Sequence, residues 1–256
     1  MAIDLAGKTA LITGASRGIG RAIAIGYAQS GADLVLTART VEALEETRSA
    51  VEAHGRRATV LPADITDRDA VQQLVAAAIE ALGRVDVVVN NAGGTSFMAA
   101  FTDLRFEGWE KVFRLNTSSV VHVLQAVGPH LLDNPGSSVI NVASIAALTG
   151  TPAISPYGAS KAALHSLTKS LAMEWGHRGV RVNSLCPGWT ATELNRTLWE
   201  NAEVSAAMMR AVPMGRWAKA EEMVGAAVFL GSDASSYLTG QAIVVDGGLT
   251  AGAAGG

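Results

Sequence analysis

The sequence predicts an α/β fold, in which a doubly wound parallel sheet carries helices on both faces. Short apolar runs alternate with helical patterns through most of the 256 residues, and the first run leads through a glycine-rich turn into a helix. The chain is 49% hydrophobic and 17% charged, which suits a sheet that is covered on both faces. This length is typical of one α/β domain, so we expect 1–256 to form a single domain.

Each element follows from its own pattern of apolar residues and breakers. Seven apolar runs are predicted to be strands, at 8–13, 32–38, 58–63, 85–89, 138–142, 180–185 and 241–246. The helical patterns between them are one that follows Gly20 and ends at Gly31, then 41–54, 67–82, 103–132, one from Pro156 to about Gly176, and 220–231.

Two segments lack a regular pattern. Residues 193–217 are rich in Trp and Met and form either a mobile lid over a substrate or a peripheral packing segment. The glycine- and alanine-rich tail at 250–256 is predicted to be disordered or to contribute to a subunit contact.

Composition and charge exclude several classes of protein. A net charge of −3 argues against nucleic acid or an anionic membrane as the main partner. The single Cys186 excludes an internal disulfide and a cysteine-rich metal site, and we expect no bound metal. The chain has no pattern typical of a signal peptide, and no run approaches the ~18 apolar residues of a membrane-spanning helix. We therefore expect a cytoplasmic protein.

The glycine-rich turn after the first strand is a candidate phosphate site. Glycines let the backbone approach a diphosphate closely, and the N–H groups at a helix N-terminus favour an anion. The spacing is G-x-x-x-G-x-G, which differs from the commoner dinucleotide motif, and a purely structural turn is the alternative. The candidate contact residues are Gly14, Ser16, Arg17, Gly18, Ile19 and Gly20.

Two arginines favour NADP(H) over NAD(H). NAD sites carry an acidic residue about 20 positions after the glycine turn, at the end of the second strand. Here Ala38 occupies that position, Arg39 follows it, and Arg17 lies inside the turn. Guanidinium groups bind a 2′-phosphate through charge-assisted hydrogen bonds. The alternative is that both arginines are solvated surface charges.

Polar residues follow the third and fourth strands, at the edge where open parallel sheets bind ligands. Asp64 and Ile65 could contact an adenine, or Asp64 could help to begin the next helix. Asn90 to Gly94 could tie neighbouring loops together and leave room for a flat ligand, or form a plain turn.

Tyr157 and Lys161 are candidate catalytic residues. They are four residues apart on a predicted helix, so they lie on one face. A cation beside the phenol favours the phenolate, which would allow proton exchange near neutral pH. Ser144, on the loop before this helix, could donate a hydrogen bond to a bound carbonyl oxygen. The alternative is that Tyr157 and Lys161 are ordinary surface residues of the helix.

Asn116 is a polar residue on the largely apolar stripe of the helix at 103–132. A buried amide needs hydrogen-bond partners. It could bridge helices structurally, or hold a water near Lys161.

The ordered set of motifs resembles the short-chain dehydrogenase/reductase family over roughly residues 6 to 249. The matching motifs are Thr13-Gly14-x-x-x-Gly18-x-Gly20, Asp64, Asn90-Asn91-Ala92-Gly93, Asn116, Ser144, Tyr157-x-x-x-Lys161, Asn183, Pro187-Gly188 with Thr192, and Asp246-Gly247-Gly248. The resemblance implies a Rossmann-type sheet of seven parallel strands. It also implies a nicotinamide cofactor and hydride transfer between that cofactor and a carbonyl or alcohol carbon.

The resemblance also implies roles for individual residues. Tyr157 would be the general acid or base, Lys161 would lower its pKa and hold the nicotinamide ribose, and Ser144 would polarise the carbonyl. Asn116 would keep a water that relays protons to Lys161. Besides Lys161, the implied cofactor contacts are Asp64, Ile65, Asn90, Ala92, Gly93, Tyr157, Pro187, Gly188, Thr190 and Thr192. A non-catalytic, NADP-sensing regulator is the alternative outside the enzymes, but such a protein does not need the complete catalytic set.

The closest resemblance is to 3-oxoacyl-carrier-protein reductases and to sugar-acid or polyol dehydrogenases such as gluconate 5-dehydrogenase. Asp133-Asn134-Pro135 and Met173 stand where the carrier-protein enzymes have basic residues. We therefore expect a small to medium ketone or secondary alcohol without strong charge. Family members are usually homotetramers, so we expect that assembly here. The predicted substrate surroundings are Thr95, Ser96, Phe97, Met98, Ala146, Ala147, Trp189, Leu194 and Trp199.

Overall fold

A single parallel sheet of seven strands organises residues 3–252, which are the residues described by this computed structural model. The strands are β1 (Thr9–Thr13), β2 (Asp33–Thr37), β3 (Ala58–Val60), β4 (Val87–Asn90), β5 (Ser138–Val142), β6 (Arg181–Pro187) and β7 (Ala242–Val245). Their order is β3-β2-β1-β4-β5-β6-β7, so the winding reverses between β1 and β4. The predicted doubly wound sheet is confirmed, and the reversal point is where such sheets bind ligands.

Helices cover both faces of the sheet. They are α1 (Gly18–Gln29), α2 (Val41–Glu52), α3 (Arg68–Leu82), α4 (Phe106–Phe113), α5 (Ser119–Leu132), α6 (Ser155–Trp175), α7 (Arg196–Trp199), α8 (Ala202–Met209) and α9 (Val224–Gly231). Ala10 and Ile12 of β1 pack in one core with α1, α2 and α9, whereas Leu11 between them packs in a second core with α3, α5 and α6. This alternation follows from the two-residue period of a strand.

The predicted single helix at 103–132 is wrong in its start and its continuity. A separate short turn occupies Phe101–Asp103, α4 begins at Phe106, and a π-helical segment, Arg114–Ser118, separates α4 from α5. In that segment the N–H of Ser119 binds the Arg114 carbonyl, and the Ser119 hydroxyl donates to the Leu115 carbonyl at 2.6 Å. The side chain thus satisfies a carbonyl that the widened turn releases.

The segment predicted to be irregular at 193–217 contains a 3₁₀ turn, Glu193–Asn195, followed by α7 and α8. Met209 and Val212 are buried, and the N–H of Met214 donates to the Gly247 carbonyl at 3.1 Å. The second half of the segment is therefore anchored against the turn that follows β7.

The predicted tail is only partly described. Thr250 donates to the Asp246 carboxylate from its N–H and its hydroxyl, both at 2.7 Å. Thr250 therefore belongs to an ordered turn, contrary to the predicted disorder, because Asp246 supplies acceptors for it. Residues 253–256, with the rest of that prediction, lie outside the described residues.

Three further observations concern the expected class of protein. Within residues 3–252, none of the helices combines the length and apolar character that crossing a bilayer requires. The same residues bring no three His, Cys, Asp or Glu side chains together in a group that could hold a metal ion. Cys186 is fully buried in β6.

Candidate active site

The glycine turn lies at the carboxyl end of β1 and leads into α1. Gly14 and Gly18 have positive φ values of 65° and 53°, which favour glycine. A Cβ on Gly20 would overlap the Gly14 carbonyl oxygen and the Asn91 amide, and would lie 2.9 Å from the Gly14 carbonyl carbon. The turn can therefore adopt this path only because these positions carry no side chain.

The N-terminus of α1 has the donor set of an anion site. Arg17 is the N-cap residue, its side chain makes no capping hydrogen bond, and the first turn contains no acidic residue. The amide donors of this turn are therefore not used by a side-chain cap, and they fit a phosphate group. Ser16 is half-buried beside Arg17, and Ile19 packs partly against the core.

Asn91 fastens this turn to the loop after β4. Its Nδ2 donates to the carbonyls of Thr13 at 3.0 Å and Gly14 at 3.2 Å. In return, the N–H groups of Asn91 and Ala92 donate to the Thr13 hydroxyl at 3.0 and 3.1 Å. Asn91 thus ties the two loops together, a role that the sequence suggested for this loop, although Asn91 itself was not among the predicted site residues.

The structure brings Ser144, Tyr157 and Lys161 together at the carboxyl end of β5. Tyr157 and Lys161 lie one turn apart on α6, and Nζ is 5.8 Å from the centre of the phenol ring. Lys161 is buried, and Nζ donates to the Val142 carbonyl at 2.7 Å, the one acceptor that residues 3–252 give it. An ammonium has three donors, so the remaining N–H groups fit hydroxyls of a bound ligand.

The pKa of Tyr157 is shifted in the direction opposite to the predicted one. Burial raises the pKa of the Tyr157 phenol above its ordinary value, and hydrogen bonding with Ser144 only partly opposes this. Burial also lowers the pKa of Lys161 to about 8. The expectation that Lys161 lowers the pKa of Tyr157 is therefore wrong for the chain alone, because desolvation dominates and the opposing contribution comes from Ser144.

Asn116 bridges the π-helical segment and the loop after β4. Its Nδ2 donates to the carbonyls of Gly94 at 2.8 Å and Val112 at 2.9 Å, and its Oδ1 accepts from the N–H of Gly94 at 2.8 Å. Its buried side chain therefore joins a helical segment to a loop, and the expected bridge between helices is wrong. A Cβ on Gly93 would lie 2.6 Å from Asn116 Oδ1 and 3.1 Å from Lys161 Nζ, so glycine lets this loop reach the lysine.

The two predicted phosphate-binding arginines have different surroundings. Arg17 Nη1 lies 3.2 Å from the carboxylate of Glu193, on the segment after β6. Arg39 is exposed, and the ion pairs of residues 3–252 do not include it. It lies near Asp64, whose pKa is lowered by hydrogen bonds from Thr66 and further by the charge of Arg39.

Asp64 and Ile65 lie at the predicted edge of the sheet, after β3. The Asp64 carboxylate accepts from the N–H of Thr66 at 2.9 Å and from its hydroxyl at 2.8 Å, which forms a local turn. Asp67 caps α3 instead, and Ile65 is buried. The contacts of Asp64 thus belong to the local turn that precedes the helix.

The loop after β6 carries the last predicted cofactor residues. Gly188 packs so tightly that a Cβ there would lie 2.6 Å from Asp246 Cα. Thr190 is buried and donates to the Gly188 carbonyl at 3.2 Å. Thr192 donates to the Asn195 side chain from its N–H at 3.0 Å and its hydroxyl at 3.1 Å. These contacts fix the loop beside the glycine turn, 3.5 Å from the position of a Cβ on Gly18.

A chain of buried polar side chains behind the site was not predicted. It runs from β4 through β5, α6 and β6, and the signal was polar residues inside otherwise apolar strand runs. Its bonds are Asn90 Nδ2 to Asn141 Oδ1 at 2.9 Å, Asn141 Nδ2 to Thr168 Oγ1 at 2.9 Å, Ser184 Oγ to Thr168 Oγ1 at 3.1 Å, and His165 Nδ1 with Ser184 Oγ at 3.0 Å. Asn90 is thereby fixed from behind by three elements.

Strain is concentrated in the loop between Ser144 and Tyr157. Ala153 is the one non-glycine residue in 3–252 with a positive φ, 64°, and its carbonyl accepts from the N–H of Ala99 at 2.9 Å. The left-handed region costs an L-residue roughly 1–2 kcal/mol. The loop after β4 is thus joined to the loop before α6 through a strained position.

Replacing Ala153 by glycine is expected to stabilise the protein. Relief of strain exceeds the entropic cost of glycine, so the free energy of unfolding should rise by about 0.5–1 kcal/mol. Thermal unfolding should show an increase of about 2–4 °C per kcal/mol. Ala162→Gly on the exposed face of α6 is the control, and it should lose roughly 1 kcal/mol. An unchanged or lower Tm for Ala153→Gly would contradict the strain.

The doubly wound sheet, the glycine turn and the Ser144, Tyr157 and Lys161 cluster define an α/β protein of the dinucleotide-binding class. A family model described as enoyl-(acyl carrier protein) reductase matches residues 14–250. The gluconate 5-dehydrogenase of Gluconobacter oxydans (strain 621H) is 41% identical over 247 residues, which cover 96% of each chain. The chain belongs to the short-chain dehydrogenase/reductase family, and it is an enzyme of that family.

Two other proteins show which members of the family the chain is similar to. The crystal structure of a gluconate 5-dehydrogenase from Burkholderia cenocepacia J2315, in complex with NADP and tartrate, has a TM-score of 0.93 and 35% identity and covers 98% of both chains. The 3-oxoacyl-(acyl-carrier-protein) reductase FabG of Thermotoga maritima is 37% identical and covers 96% of this chain and 98% of that protein. Both predicted branches of the family are thus represented among its relatives.

Proposed function

We propose that this protein is an NADP(H)-dependent oxidoreductase that interconverts a ketone and a secondary alcohol, with Tyr157 as the general acid and base. The observation that carries the proposal is the meeting of Tyr157, Lys161 and Ser144 beside the glycine turn at one edge of the sheet. When bound, NADP(H) supplies or accepts the hydride. The protein's own task is to hold the substrate oxygen and to move one proton.

The residues of the site have distinct parts in this reaction. The Ser144 hydroxyl orients and polarises the substrate oxygen, and the Tyr157 hydroxyl gives or takes its proton. Lys161, with donors remaining beside Gly93, binds the ribose of the cofactor. The turn from Gly14 to Gly20 holds the diphosphate, and the loop from Pro187 to Thr192 lines the nicotinamide.

The proposed substrate is a ketone or secondary alcohol without strong charge, and a sugar acid is the second candidate. The gluconate dehydrogenases among the relatives favour the sugar acid. An acidic carrier protein is disfavoured, since Asp133 and Met173 have exposures of 82% (side chain) and 86% (whole residue) where the carrier-protein enzymes have basic residues. A panel of neutral ketones, gluconate and its 5-keto form, and acyl-carrier thioesters tests this. Turnover of the thioesters alone would refute both candidates.

Arg39→Asp tests the cofactor. Arg39 is exposed and outside the ion pairs of the described residues, which leaves its guanidinium available to a 2′-phosphate. Removal of a charge-assisted hydrogen bond and introduction of like charge should weaken NADPH by about 10- to 100-fold and NADH by much less. Fluorescence titration measures both dissociation constants, and Arg39→Gln should give an intermediate loss. An unchanged ratio of the two constants would rule out the role of Arg39.

We also propose a homotetramer. Leu164, Leu167, Leu171 and Trp175 form an apolar stripe on α6 that the sequence offers for a subunit contact. The stripe does not carry this proposal, since Leu164 is fully buried in the core and Leu171 and Trp175 pack against it. Exposed Phe101 and Phe106 support a subunit contact near the start of α4. Light scattering of the eluted protein gives the mass, and a monomer would refute the assembly.

A further inference from the structure

Consecutive residues after β6 contact two glycine-bearing loops. We call residues 192–195 the latch turn. On one side it meets the glycine turn, and on the other it meets the loop after β4. The contacts are Thr192 Cγ2 at 3.5 Å from the Cβ position of Gly18, Glu193 Oε2 at 3.2 Å from Arg17 Nη1, and Leu194 Cδ2 at 3.0 Å from the Cβ position of Gly94.

The latch turn is braced, so the position of Glu193 is set by its neighbours. Asn195 Oδ1 accepts both hydrogen bonds of Thr192, and Asn195 Nδ2 donates to the Thr190 carbonyl at 2.9 Å. Trp199 Nε1 donates to the Thr192 carbonyl at 2.8 Å. The turn that carries Glu193 is thereby fixed beside Arg17, which lies 176 positions away along the chain.

Two anions can therefore pair with Arg17. In the chain alone its guanidinium pairs with Glu193, and the predicted NADP(H) preference gives it the 2′-phosphate of the cofactor. A carboxylate and a phosphate repel each other when they approach one guanidinium. We propose that Glu193 is a specificity-determining residue, which competes with the phosphate of NADP(H) for Arg17 and so weakens cofactor binding. This inference rests on the proposed function.

The solvent exposure of Arg17 and Glu193 determines how much Glu193 changes the NADPH affinity. The side chains of Arg17 and Glu193 are 62% and 53% exposed, so solvent screens the pair. Glu193→Gln should therefore tighten NADPH only about two- to fivefold. The gain for NADH should be smaller, because NADH lacks the 2′-phosphate. In an Arg17→Gln background the gain should disappear, because the contested cation is gone.

The experiment is a double-mutant cycle of Arg17→Gln and Glu193→Gln, read by titration of NADPH and NADH fluorescence. Asp133→Asn is the matched control, since Asp133 also pairs with an exposed arginine, Arg178, at 3.2 Å, and loses the same charge. It should leave both affinities unchanged. Thermal unfolding checks that each variant is folded.

The outcomes separate the two proposals. In one outcome the wild type binds NADPH, Arg17→Gln weakens that binding, and Glu193→Gln leaves it unchanged. The competition is then refuted and the proposed function stands. The competition is also refuted if Glu193→Gln tightens NADPH binding by the same factor in the wild type and in the Arg17→Gln background. If the wild type binds no nicotinamide nucleotide, both proposals fail. A tighter NADPH complex that depends on Arg17, with Asp133→Asn unchanged, supports the competition.

Discussion

Tyr157→Phe is expected to reduce turnover by about 10²- to 10⁴-fold, the contribution typical of a positioned general acid or base. The substitution removes one oxygen from a half-buried ring and leaves the ring itself in place. The loss should appear in kcat and in kcat/KM alike, because the proton transfer occurs in the transition state. Oxidation of NADPH in the presence of a ketone that the wild type accepts measures it.

Binding and folding should be unaffected by the same change. The dissociation constant of NADPH should stay within about threefold, since Lys161 and the glycine turn remain, and a threefold change is below 1 kcal/mol. Tyr237→Phe is the matched control, because Tyr237 is fully exposed, and its rate should equal that of the wild type. If Tyr157→Phe turned over as fast as Tyr237→Phe, Tyr157 would not be the general acid or base.

The strands were predictable because a parallel sheet buries them on both faces. The run at 138–142 is apolar at Val139, Ile140 and Val142, and β5 has these bounds. The interruption of the helix predicted at 103–132 was missed, and within that interruption Asn116 contacts Gly94 in another loop. A local pattern contains no information about such a contact.

The same distinction holds in the site. Tyr157 and Lys161 were found from the sequence because their four-residue spacing is a local property of a helix. The ion pair of Arg17 with Glu193 was missed, because nothing local relates residues 176 positions apart. The pKa of Tyr157 was misjudged for a related reason, since desolvation depends on the packing of the whole site.

Gly20→Ala is expected to destabilise the protein and to disable the proposed cofactor site. The added Cβ meets the carbonyl group of Gly14 and the amide of Asn91, and backbone atoms cannot move aside as a flexible side chain would. Overpacking of this kind costs roughly 1–3 kcal/mol. Since any relaxation moves the glycine turn away from the N-terminus of α1, the NADPH affinity should fall at least about tenfold, or 1.4 kcal/mol.

Gly225→Ala separates this steric effect from the general effect of alanine in a helix. Gly225 also lies in a helix, α9, but a Cβ there would have no neighbour within 4 Å. It should therefore be neutral or stabilising by up to ~1 kcal/mol, with NADPH binding unchanged. Urea unfolding and NADPH titration of the two variants measure the difference. If the two variants had equal stability and equal NADPH affinity, the turn would not depend on the absence of a Cβ at Gly20. The close backbone approach there would then not be a requirement of the proposed diphosphate site.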